Sequence, residues 1–104
     1  MVLLRVITSK EEQVETIVRM LLQEKLAVNV TVKRPITEYI LDGDSLKPVT
    51  KYIIVAKTKS LLFPTIEKAM STMFPKDTPE MYSLAIVHMD WSQTEKLSNE
   101  VKKV

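Results

Sequence analysis

Two stretches of the chain are apolar at alternating positions and also at the positions between them. Lys51 to Thr58 carries Tyr52, Ile53, Ile54, Val55 and Ala56, and Met81 to Met89 sets Leu84 and Ile86 against Ala85 and Val87. Successive side chains of a strand point to opposite faces, so each stretch reads as a strand that needs cover on both sides. A chain of 104 residues makes one domain, residues 1–104, and its helices suffice for one side of a sheet. The second side is left as an apolar face of several hundred Å², roughly the largest patch a monomer shows. Self-association supplies the missing cover. The alternative is that the terminal helix or the Lys33 to Tyr39 segment folds back over that face.

The remaining elements follow from local pattern. Val2 to Ile7 reads as a strand. Ser9 and Glu12 have capping-box spacing, and Val14, Ile17, Val18, Leu21 and Leu22 form the stripe of the helix they open. Leu26 to Lys33 alternates as a strand until Pro35, which has no backbone donor, interrupts the ladder. Thr37 to Leu41 resumes extended structure and turns at Asp42-Gly43-Asp44, which holds the single glycine of the chain. Ser60 is positioned to cap a second helix reaching Phe74, with Pro64 in its first turn and Pro75 and Pro79 at its exit. Ser92 and Glu95 repeat the capping-box spacing before a short terminal helix that turns Leu97 and Val101 inward. The order β-α-β-β-α-β gives an α+β, ferredoxin-like antiparallel sheet with two helices on one face and a short C-terminal helix.

Composition removes several function classes. Hydrophobic residues make up 45% and charged residues 27%, which is a folding composition. The absence of cysteine excludes disulfides and thiolate zinc sites and fits a reducing, cytoplasmic setting. Arg5 breaks the apolar N-terminus before it reaches the length of a membrane span. The net charge of +2 is dispersed, and the third strand lacks the glycine-aromatic signature of RNA-recognition modules, so no nucleic-acid partner is expected. No Gly-x-Ser-x-Gly or His-Glu-x-x-His occurs, and one glycine cannot build a phosphate loop. The chain reads as a protein that is not an enzyme.

Several segments together resemble the CutA family, named for divalent-cation tolerance and similar in fold to PII-like signalling proteins. They are Leu22-Gln23-Glu24-Lys25-Leu26-Ala27 before a valine-rich strand, Tyr39 and Gly43 in the hairpin, Lys57-Thr58-Lys59, Phe74-Pro75-Lys76-Asp77-Thr78-Pro79-Glu80, and Asp90-Trp91. The resemblance covers nearly the whole chain. It implies a small cytoplasmic homotrimer with sheets packed around a threefold axis, and a divalent metal ion as the ligand to consider, with no cofactor assigned. Three positions depart from the family pattern. Ala27-Val28-Asn29-Val30 lacks the usual cysteine, Leu41 replaces a tryptophan between Tyr39 and Gly43, and Phe74 and Lys76-Asp77 replace the histidine and the tyrosine-glutamate pair. The soft-metal ligand is missing, so copper binding does not carry over.

Candidate site residues fall into two groups. His88, Glu80 and Asp90 are the candidate metal ligands, with Asp77 as a further carboxylate. One imidazole per chain meets none of the usual ligand counts, so a hydrogen-bonded histidine at a strand end is the simpler reading, and Glu80 equally orients the last strand. Tyr39, Lys57 and Trp91 are the candidate lining of a shallow pocket for a small anion, or else aromatic filling of a subunit contact. That pocket carries the alternative function, a PII-like regulatory module with an anionic ligand at clefts between subunits near Lys57.

Overall fold

The computed structural model describes all residues from Met1 to Val104. Its elements are β1 (Val2–Thr8), α1 (Glu11–Gln23), β2 (Val28–Asp42), β3 (Ser45–Thr58), α2 (Phe63–Met73, entered through a 3₁₀ turn at Ser60–Leu62), β4 (Glu80–Ala85) and α3 (Trp91–Glu100). The four strands form one antiparallel sheet in the order β2-β3-β1-β4, which is the expected α+β, ferredoxin-like arrangement. No helix is long and apolar enough to cross a membrane.

One face of the sheet is packed. Val2, Leu4, Val6 and Thr8 of β1 alternate inward, and Leu4 and Val6 meet Ala56 and Ile54 of β3 in register. Val14, Ile17 and Leu21 of α1 and Ile66 and Met70 of α2 close over them, all essentially without solvent contact. The three- and four-residue spacing of these helix positions places them on one side, which is what lets two short helices seal the sheet. α3 adds Leu97 and the following Val101 to the same core. Lys59 Nζ holds its C-terminal end, donating to the carbonyls of Ser98, Val101 and Lys102 at 3.4, 3.2 and 2.9 Å. A cation there complements both the unpaired carbonyls and the helix dipole.

The other face is open. By strand register it carries Leu3, Arg5 and Ile7 of β1, Ile53, Val55 and Lys57 of β3, and Glu80, Tyr82 and Leu84 of β4, of which Ile53 alone is buried. Tyr82 and Leu84 are exposed, and neither α3 nor the Lys33 to Tyr39 segment covers them. One chain thus leaves this face uncovered, as expected from its two helices, and the fold-back alternative is not what the chain adopts. The guanidinium of Arg5 lies 5.5 Å from the Tyr82 ring centroid, and the chain's one ion pair lies elsewhere, so Arg5 has no carboxylate partner on this face.

β2 and β3 run past the body of the sheet as a two-stranded arm. Pairing continues from Ile36↔Lys51 to Asp42↔Ser45, although β1 ends opposite Tyr52. The radius of gyration is 14.9 Å, against about 13 Å for a compact domain of this length, and the long axis reaches 49 Å. Pro35 interrupts the ladder as its missing donor suggested, although β2 runs through it as one strand. The ladder shifts register between Lys33 and Ile36 and then continues. The tip is a two-residue loop with Gly43 at φ 65°. That is the primed geometry whose twist matches the strands. Gly43→Ala meets no atom within 4 Å, so its expected cost of about 1–2 kcal/mol is the backbone penalty alone, to be read as a lowered melting midpoint.

Two cap assignments are corrected. Neither Ser9 nor Ser60 caps a helix through its side chain; α1 and the turn before α2 start after Lys10 and Lys59 without side-chain caps. Pro64 does lie in the first turn of α2. The last strand ends at Ala85, not Met89, because β4 pairs only with β1 and that ladder runs out at Val2↔Ala85, with one further bond from Ile86 N–H to the Met1 carbonyl at 3.2 Å. His88 consequently lies in an exposed segment without regular structure, not in a strand.

Candidate functional site

The candidate residues fall at three separate places. Tyr39 lies on the arm opposite Pro48, 65% exposed. Lys57 is nine residues further along β3, about 30 Å at 3.3 Å per residue. Trp91, the first residue of α3, is 80% exposed. Lys57 and Trp91 are linked through the start of α3, since Lys57 Nζ donates to Gln93 Oε1 at 2.6 Å. Tyr39 does not join them within one chain.

The metal candidates are also dispersed. Glu80 begins β4 opposite Ile7, whereas Asp90 follows the far end of that strand. No three histidine, cysteine, aspartate or glutamate side chains converge enough to hold a metal ion. The donor set of a single chain therefore does not fit a resident divalent metal, whose usual sites need several ligands at once.

Asp90 has a structural task. It is the N-cap of α3, accepting from the Gln93 backbone N–H at 2.9 Å, the Ser92 hydroxyl at 2.7 Å and Gln93 Nε2 at 2.8 Å. The cap thus comes from Asp90 and not from the expected Ser92 and Glu95 pair. The backbone bond from Gln93, then the Ser92 hydroxyl, hold its carboxyl below the ordinary value of 3.8. A carboxyl with a lowered value in the folded state adds stability above its unfolded value, and that contribution is lost as pH falls through the folded one. Below about pH 4, the protection of amides in the first turn of α3 relative to their intrinsic exchange rates is expected to fall, and Asp90→Ala is expected to show the lowered protection already at neutral pH.

A polar cavity of about 180 Å³ lies at the opposite end of the sheet, where β1 passes into α1. Its walls include Thr8 and Gln13, each only 4% exposed. The Thr8 hydroxyl donates to Gln13 Oε1 and accepts from the Lys10 backbone N–H at 3.0 Å. Gln13 Nε2 donates to the Asp77 carbonyl at 3.0 Å, and Lys10 Nζ pairs with Asp77 Oδ2 at 2.9 Å. That bond to Asp77 raises the Lys10 ammonium above its ordinary value. The network ties the end of β1 and the first turn of α1 to the segment before β4, and Lys51 and Glu80 complete the wall. Pattern reading missed this place. The available signal was a polar residue on each buried stripe: Thr8 in the 2, 4, 6, 8 set and Gln13 in the 13, 17, 21 set.

The fold can be compared with known structures. The chain superimposes on the divalent cation tolerance protein of Thermus thermophilus with a TM-score of 0.84 at 20% identity, covering 98% of this chain and 100% of that one. A CutA1 from Oryza sativa gives 0.86 at 18% identity over 99% and 94% of the two chains. A protein described as the periplasmic divalent cation tolerance protein CutA from Archaeoglobus fulgidus gives 0.82 at 21%, over 98% and 100%. At these identities the likeness is one of fold. No match was found among curated proteins. The family model for the CutA1 divalent ion tolerance protein matches residues 2–98, nearly the full length, so the chain belongs to the CutA1 divalent ion tolerance protein family.

Proposed function

We propose that the chain acts as a cytoplasmic, non-enzymatic homotrimer in the response to divalent metal ions. The observation that carries the assembly is the arm. On one side, Tyr39, Leu41 and Leu46 stand 65%, 72% and 71% exposed beside Thr37, Pro48 and Thr50, with no charge among them. The opposite side holds Glu38, Asp42 and Lys47. An uncharged apolar side on a projecting hairpin suits burial against another chain, and the open sheet face offers a second uncovered surface. The number three and the metal response rest on the family. Because one chain gathers no ligand set, any metal contact in this reading draws on more than one chain.

Light scattering on the purified protein tests the assembly. Three chains of 11.9 kDa give about 36 kDa, and a persistent single-chain mass at high concentration would sink the proposal. The alternative, a PII-like module for a small anion, draws on Lys57, whose Nζ meets Gln93 two residues along α3 from the exposed Trp91. Melting curves with copper, zinc, nucleotides and organic anions separate the two, since a ligand selective for the folded state raises the midpoint.

A further inference from the structure

We propose that the cavity at the Thr8 end of the sheet binds a small zwitterion of the α-amino acid class, its carboxylate held by Lys51 and its ammonium by Glu80. Thr8 and Gln13 are polar residues buried at positions where the stripes around them are apolar, and their hydrogen bonds fix the cavity wall across more than sixty residues of chain. Polar groups so placed are normally satisfied, and these are, yet Gln13 keeps one amide hydrogen and Thr8 one lone pair. The charges divide unequally. Lys10 and Asp77 neutralise each other, whereas Lys51 and Glu80 form no ion pair or side-chain hydrogen bond.

Lys51 is half-buried and Glu80 exposed, and neither has a charge partner within the chain. Glu80 and Lys51 belong to β4 and β3, the two strands flanking β1, and Lys51 lies two residues beyond Ile53, the residue level with Glu80, so about 12 Å separates their backbones at the usual strand spacing and rise. A small dipolar molecule between the two side-chain ends answers both charges, and a single ion answers only one. The volume equals roughly six waters at about 30 Å³ each, which is amino-acid size. A divalent cation is disfavoured because Asp77 is already engaged, leaving one free carboxylate where several oxygens are wanted. The proposal is independent of the metal reading and of Lys57.

The test uses the assembled, ¹⁵N-labelled full chain titrated with L-alanine, with acetate and methylammonium as single-charge controls. L-Alanine is expected to give saturable shifts at the amides of Ser9, Lys10 and Thr78, with affinity roughly tenfold above either control. Lys51→Met and Glu80→Gln should each weaken it by about tenfold at an unchanged melting midpoint, and Lys51→Arg should retain it. Absence of saturable shifts with L-alanine, equal binding of acetate, or undiminished binding by both folded variants would overturn the proposal.

Discussion

Val55→Arg is expected to reduce the assembled protein to single chains while leaving its secondary structure intact. Val55 occupies the open face, directly opposite Arg5 on β1 and Thr31 on β2. A second guanidinium there stands across from the first, at a cross-strand Cα separation of about 4.5–5.5 Å. When another copy covers the face, the pair is buried as like charges, a penalty on the order of several kcal/mol. The helix-side core is untouched, so far-ultraviolet dichroism should match the parent. Val55→Asp is the informative control. Its carboxylate faces Arg5 and gains a favourable cross-strand pair of about 0.2–1 kcal/mol, so it should assemble far better than the arginine variant, with Val55→Met as the neutral control for size. Equal masses for the arginine and aspartate variants would mean that this face is not the interface.

Ile54→Ala is expected to lower stability by about 2–5 kcal/mol, the range for removing a large aliphatic side chain from a packed core. Ile54 has no solvent exposure and sits between Val6 of β1 and Val32 of β2 on the helix-covered face. Against a total of about 5–15 kcal/mol for an ordinary domain, such a loss is a large fraction. At about 4–8 °C per kcal/mol, the melting midpoint should fall by roughly 10–40 °C, measured at fixed protein concentration because assembly contributes to the midpoint. In urea the midpoint should drop with little change in slope. A shift of only a degree or two would show that the centre of the sheet is not where the packing energy lies. Val55 and Ile54 are neighbours in sequence with opposite surroundings, so the pair separates folding from assembly.

The element order was legible because each helix writes a three- and four-residue stripe and each strand an alternation, and those periods survive without tertiary information. Cap positions were less so. Ser9 and Glu12 had the right spacing, but the hydroxyl that meets the entering chain belongs to Thr8, and Gln13 is drawn into the network with Asp77. The overlong last strand shows the same limit. Apolar alternation persists to Met89, yet a strand is only as long as its partner, and β1 offers none beyond Val2. The candidate site was the least legible part. Tyr39 and Lys57 share a hairpin but lie far apart along it, and Glu80 and Asp90 lie on either side of a strand whose length keeps them separate.

Local periodicity by itself determined the α+β order and most of the core, because burial on one face repeats with the geometry of the backbone, although Leu22 of the α1 stripe is exposed. Only the tertiary structure decided where the strands stop, that the arm projects, and which polar residues meet at the Thr8 cavity. Those features depend on which segments become neighbours across more than sixty residues, and no local pattern encodes that.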